Sequence, residues 1–233
     1  MARRTSQMTL AVLLPLLLLG AGPAVAKCSD PPGPKVDWSK CDREKKRLRN
    51  MDLQGAILER SDLTYSDLSA SNLAGARLLR ATLNSSLFRA ADLSGADLTK
   101  AQGSRADFAG AKLVGAVLVK ADLARADLTG ANLSGADLSK AEFERAVFRE
   151  ATLENARLAF ADLARADLTG ARLAGADLEG AYTLLVRIEG TDLSQVAGLT
   201  QQQLEIACGD AETRLPEGLT APADWPCAPA DSE

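Results

Sequence analysis

Residues 126–140 read Ala-Asp-Leu-Thr-Gly, Ala-Asn-Leu-Ser-Gly, Ala-Asp-Leu-Ser-Lys. These are three pentads in one phase: a small residue, an acid or amide, a leucine, and two polar or small residues. Working outward, the large apolar residue recurs at every fifth position from Leu53 to Leu193, with Gly103 and Thr183 as the exceptions. The phase never slips, so residues 51–195 form 29 consecutive pentads. Neither regular element has this period. A helix repeats its apolar face at three and four residues, and a strand alternates by two. Two adjacent inward positions, one small and one large, need a chain that turns a corner every five residues. Four corners close a square coil of 20 residues, and each leucine then lies above the leucine of the previous coil.

That 20-residue period is visible in the last position of each pentad when every fourth is taken. One set reads Gly55, Gly75, Gly95, Gly115, Gly135, Asn155, Gly175. The next reads Arg60, Arg80, Lys100, Lys120, Lys140, Phe160, Gly180, and the third Tyr65, Ser85, Arg105, Arg125, Arg145, Arg165, Leu185. The fourth is mostly small: Ala70, Ala90, Gly110, Gly130, Glu150, Gly170, Gly190. Four distinct columns are what a four-sided coil requires. At ~4.8 Å per coil, this region is a rod of roughly 34 Å.

With its A(D/N)LXX pentads, the chain resembles the pentapeptide-repeat proteins. The resemblance implies an all-β fold, a right-handed quadrilateral β-helix, and says little about activity because function is carried by sites grafted on a fold. Some members of the family are DNA-mimicking topoisomerase inhibitors, which implies a cytoplasmic protein that is anionic along its length. The stretch from Ala207-Cys208-Gly209-Asp210 through Leu215-Pro216 to Trp225 resembles the tail of exported bacterial members.

The flanks divide the chain further. Residues 1–26 read as a secretory signal: Arg3 and Arg4, an apolar run from Leu10 to Gly20, and a small-x-small site at Ala24-Val25-Ala26. The run is about half the ~20 apolar residues a spanning helix needs. A periplasmic or extracellular protein is therefore expected, with no transmembrane segment in the mature chain. Residues 27–50 form an N-terminal cap, with Trp38 in phase as a lid. Arg43 and Lys46 fall in inward slots, so this coil is expected to be irregular. Residues 196–233 form a C-terminal cap. The phase is expected to break at 196–198, Thr200 and Gln203 make a capping box, Leu204 and Ala207 give a short helix an apolar face, and Gly209 can end it. In an exported chain four cysteines read as two disulfides. Bridged Cα atoms lie within about 7 Å, so the pairs Cys28–Cys41 and Cys208–Cys227 are expected, one at each end of the rod.

The composition excludes much chemistry. Histidine is absent, so there is no Ser-His-Asp triad, no His-based metal site and no ordinary base near neutral pH. No cofactor or metal is expected. Asp122, Glu142 and Asp162 stack on one face and Asp107 sits below Asp127, but the repeat itself sets such spacing and no cleft is implied. The reading is non-enzymatic. The leading functional reading is a structural or protein-interaction module of a bacterial envelope, its partner an unknown protein or envelope polymer.

Two basic columns, Lys100–Lys120–Lys140 and Arg105–Arg125–Arg145–Arg165, could grip a polyanion. The competing reading is a surface charge lattice that pairs Lys120 with Asp122, Lys140 with Glu142, Arg125 with Asp127 and Arg165 with Asp167. Net charge is +4 over residues 27–50, −4 over the rod and −6 over the tail. A nearly balanced rod is not a nucleic-acid groove, so no nucleic-acid partner is expected. Finally, Gly103 leaves one centre without a side chain. Phe108, the next centre, is expected to lean into the gap; the alternative is a bulge or local distortion at Gly103, with Phe108 filling only its own slot.

Overall fold

The computed structural model describes residues 28–227; the expected leader lies outside them. Parallel bridges connect residues 20 apart without interruption from Asp37↔Ile57 to Asp177↔Ala197. The coil therefore has four sides of five residues, and eight coils run from residue 36 to residue 195. At ~4.8 Å each they make a rod of about 38 Å.

Each pentad shows why it turns. The N–H of the small residue donates to the carbonyl of the preceding centre, as in Ala56 N to Leu53 O at 3.0 Å, and the second of the two residues between them, here Gly55, has positive φ. This type II-like turn recurs at each corner from residue 35 to residue 190. The centre residue's N–H donates to the next coil, as in Leu53 N to Asn72 O at 2.7 Å. Most of the remaining backbone N–H groups along a side likewise donate to a neighbouring coil, as Ile57 N to Val36 O at 2.8 Å and Gly55 N to Ala74 O at 2.9 Å.

The acid or amide before each centre has its own task. Its Oδ1 accepts the N–H two residues on: Asp127 from Thr129 at 2.9 Å, Asn132 from Ser134 at 3.0 Å, Asp137 from Ser139 at 3.0 Å. Asp and Asn both do this, which explains why they interchange in the repeat. The small slot limits volume but tolerates a hydroxyl that finds a carbonyl. Ser61 is fully buried and donates to Leu58 O at 2.7 Å; Ser71 donates to Leu48 O.

Gly103 is filled differently from the expectation. A Cβ at Gly103 would lie 2.6 Å from Leu123 Cδ2, so the leucine of the next coil leans into the gap. Phe108 stays in its own column, stacked on Phe88 with centroids 4.9 Å apart and planes 4° from parallel. Stacking within a column holds a flat ring better than a sideways lean would. There is no bulge, because Gly103 keeps its inter-coil bond to Asp122 O at 2.7 Å.

The N-terminal coil is regular, correcting the expectation of an irregular one. Residues 36–50 carry the same turns and bridges as the rod. At the end of a rod, an inward slot opens to the outside, so long side chains can leave through it. The Arg43 guanidinium lies 3.7 Å from the Trp38 ring centroid, and Lys46 is exposed. Trp38 is fully buried and donates Nε1–H to Asp30 O at 3.1 Å. Cys28 and Cys41 stand at disulfide distance there, Cα to Cα 5.4 Å.

At the other end the ladder persists beyond the expected break: Ala197 still pairs with Asp177. Gly198, with φ of +71°, marks the exit, because a Cβ there would lie 2.6 Å from Glu179 N. Helix α1, Gln201–Glu205, follows, with Thr200 and Gln203 bonded reciprocally at its start. The Gln203 side-chain amide donates to Leu178 O and Ala181 O, and Leu204 is fully buried. The chain then rejoins the ladder with one and then two extra residues, at Arg187↔Cys208 and Asp192↔Arg214. Gly209 does not end the helix, which stops at Glu205 with Ile206 as its cap. It instead makes room for Trp225, whose ring would lie 2.4 Å from a Cβ there. Cys208 and Cys227 stand at disulfide distance, Cα to Cα 5.3 Å.

Candidate interaction surface

The side chains outside the coil are arranged by the same 20-residue register. An outward residue just after a centre lies diagonally beside the outward residue 18 positions later, one coil on. Ion pairs use this diagonal: Arg49–Asp67, Arg89–Asp107 and Arg149–Asp167, and with the signs exchanged Arg77–Glu59 and Arg172–Glu154. Ser104 bonds Asp122 across the same step at 3.1 Å.

The corner columns are outside that scheme. Lys100, Lys120 and Lys140 continue a line that starts at Lys40 and includes Arg60 and Arg80, six bases in successive coils, all with φ near +58°. Among the described residues, none of these six comes within 4.0 Å of a carboxylate. The expected pairs Lys120–Asp122 and Lys140–Glu142 are not formed. Nor is Arg125–Asp127, and Asp167 is held by Arg149 rather than Arg165. The physical reason is directional. A corner side chain in the left-handed region points off the edge, while the aspartate two residues later turns Oδ1 back to its own turn, so the two diverge. In the neighbouring column Arg105 and Arg125 also lack a carboxylate within that distance among the described residues, whereas Arg145 reaches Glu144 at 3.7 Å. Arg165 holds the next corner place.

Between these two corners lies one flat side. Its middle column runs Asp62, Thr82, Gln102, Asp122, Glu142, Asp162 and Tyr182. All three lines turn apolar near the same height. The first corner passes from Lys140 to Phe160, the middle column from Asp162 to Tyr182, and the second corner from Arg165 to Leu185. These residues are 57%, 49% and 41% exposed. Lys140 Nζ stands 5.9 Å from the Phe160 ring centroid, so the basic line runs into the apolar end by a cation–π contact. The sequence columns contain Phe160 and Leu185, but that three columns turn apolar together is visible only once the side between them is built.

The stacked acids do not converge on a cleft. Asp122, Glu142 and Asp162 follow one another along an open side, each bridged to the next. Asp167 is the most enclosed. Burial pushes its carboxyl up, but bonds from Thr169 and Arg149 outweigh this and hold it below the ordinary carboxylate value. Asp67 follows the same logic with Ser69 and Arg49. Among the described residues no group of His, Cys, Asp and Glu is placed to hold a metal, and no helix is long and apolar enough to cross a membrane.

A coil of this register, walled by leucine and alanine and turned by Asp or Asn, defines a pentapeptide-repeat solenoid. Pentapeptide repeats match in eight copies, over residues 47–78, 66–102, 104–139, 126–159 and 141–180. The chain belongs to the pentapeptide-repeat family, and its fold is that family's right-handed β-helix. HetL, a pentapeptide repeat protein involved in heterocyst differentiation regulation from the cyanobacterium Nostoc sp. strain PCC 7120, is similar: 28% identity over 80% of this chain and 84% of its own, TM-score 0.63. QnrB1, a plasmid-mediated fluoroquinolone resistance protein, matches at 18% identity over 78% and 90%, TM-score 0.39. A pentapeptide repeat protein of the Arabidopsis thaliana thylakoid lumen matches at 31% identity over 52% and 79%, TM-score 0.22. At those two scores the superpositions carry no structural argument. None of the curated proteins matches this chain.

Proposed function

We propose that the chain is an exported, non-enzymatic solenoid that acts as a protein-interaction module in a bacterial envelope. The carrying observation is the separation of its charges. Arg49, Arg77, Arg89, Arg149 and Arg172 are tied to acids one coil away, whereas the Lys40–Lys140 corner has no such partner and leads into exposed Phe160, Tyr182 and Leu185. Exposed apolar residues gathered beside free charges suit recognition of another macromolecule. The open sides offer no enclosed, water-excluding site for chemistry. Export is supported by the signal-like residues 1–26 and by cysteine pairs held at the two ends, where oxidation would fasten the flanks as caps.

Fractionation of cells producing the full chain with a C-terminal tag tests this reading. The expected result is protein in the envelope or medium, beginning at Lys27, with both cysteine pairs oxidised. Unprocessed, reduced protein in the cytoplasm that inhibits a topoisomerase would instead support the DNA-mimic reading.

A further inference from the structure

We infer that the chain pairs with a second copy of itself, two rods lying side by side and parallel, with the basic corner of each against the acidic column of the other. This inference stands independently of export and of any envelope partner. In every coil the corner base stands two residues before the middle-column residue, as Lys120 before Asp122 and Lys140 before Glu142. A two-fold axis parallel to the rod keeps each coil at its own height and exchanges corner for column. The six corner bases then face, in order, Asp42, Asp62, Thr82, Gln102, Asp122 and Glu142 of the other copy. Four heights set opposite charges together, two set a base against a neutral residue, and none sets like charges together.

The acids can accept such partners. Asp42, Asp62 and Asp122 each give Oδ1 to their own turn and leave Oδ2 for an outside donor. The apolar end falls into the same register. The Phe160 ring lies against Gly180, its Cδ1 2.7 Å from where a Cβ would be, so it reaches the height of Tyr182. The axis therefore lays Phe160 of one copy on Tyr182 of the other, twice. A uniform polyanion or an anionic lipid surface would meet the column of acids beside the bases. A second copy carries the matching alternation at the matching ~4.8 Å spacing. This is the self-complementarity a two-fold contact needs. A strip ~38 Å long and ~10 Å wide covers roughly 400 Å² per copy, at the weak end of specific interfaces.

Sedimentation of the oxidised chain at about 50 mM salt, over roughly 10 µM to 1 mM, reads the dimer directly. The wild type should dimerise, and less so in high salt. Lys120→Glu/Lys140→Glu should weaken the dimer about tenfold or more, since each change acts twice across the two-fold axis. Asp122→Lys/Glu142→Lys should do the same, and mixing the two variants should restore a heterodimer. Arg125→Glu/Arg145→Glu, on the other corner, should leave the wild-type dimer in place. Circular dichroism confirms folding, and Lys120→Gln/Lys140→Gln, weakening the dimer less, serves if a reversed variant fails to fold. A wild type that stays monomeric throughout, a dimer indifferent to the Lys120/Lys140 changes, or a mixture that stays monomeric would each overturn the inference.

Discussion

Gly103 gives the sharpest test of how the core is packed. Replacing it with leucine restores the side chain that its column lacks between Leu83 and Leu123. The space is taken, because Leu123 Cδ2 lies 2.6 Å from the position of the new Cβ. Forcing four carbons into a filled layer costs about 1–3 kcal/mol. Leu123→Ala alone removes the leucine that fills the gap and costs about 2–5 kcal/mol. Together the two changes exchange volume between neighbouring coils, so the double variant should lose about 1–3 kcal/mol less than the sum. Phe108→Leu should simply add to Gly103→Leu, because Phe108 stacks on Phe88 and not over the glycine. Urea unfolding followed by circular dichroism suits the measurement. The two tryptophans, Trp38 and Trp225, sit at opposite ends and would report fraying there rather than the middle. Coupling of Gly103→Leu to Phe108→Leu, with none to Leu123→Ala, would refute this packing.

Three further outcomes follow from the turns, the acids and the ends. Asp127→Ala should cost about 1 kcal/mol by freeing the Thr129 N–H, whereas Asp127→Asn should be nearly neutral in the same unfolding assay, as Asn132 already does this work. Asp67, Asp92 and Asp167 all have carboxyls held below the ordinary value of 3.8. Their stabilisation is therefore present above that value and lost as pH falls through and below it; Asp167→Asn should flatten the acid limb of a melting-temperature profile, and an unchanged limb would count against the assignment. Cys227→Ser should cost about 2–4 kcal/mol and speed amide exchange around α1 and Cys208 while the central coils stay protected; uniform acceleration would contradict a local fastening.

Much of the architecture is legible in the pentads because size alone enforces it. A leucine at each fifth place and alanine two before it leave one solution, and the four corner columns show the coil length. What escaped reading depends on direction rather than size. Phase puts Arg43 inward, but at an open end it leaves the core and covers Trp38. Lys120 and Asp122 are close in sequence, yet a positive-φ corner and a turn-bound carboxylate send them apart. The diagonal of Arg149 to Asp167 needs the coil to be built before it can be seen. Gly103 is legible as a gap, but which neighbour fills it depends on rotamers in the coil above.

The central claim is that the corner ending at Phe160 is where this rod meets another macromolecule. A photo-crosslinking amino acid at position 160 of the full-length chain, against one at position 90 on the diagonally opposite corner, measures this in intact cells. Both positions are exposed and share the same turn geometry. Protein adducts from position 160, to a second copy or to a different protein, with none from position 90, are the predicted result. Adducts from neither position, or equally from both, would contradict it.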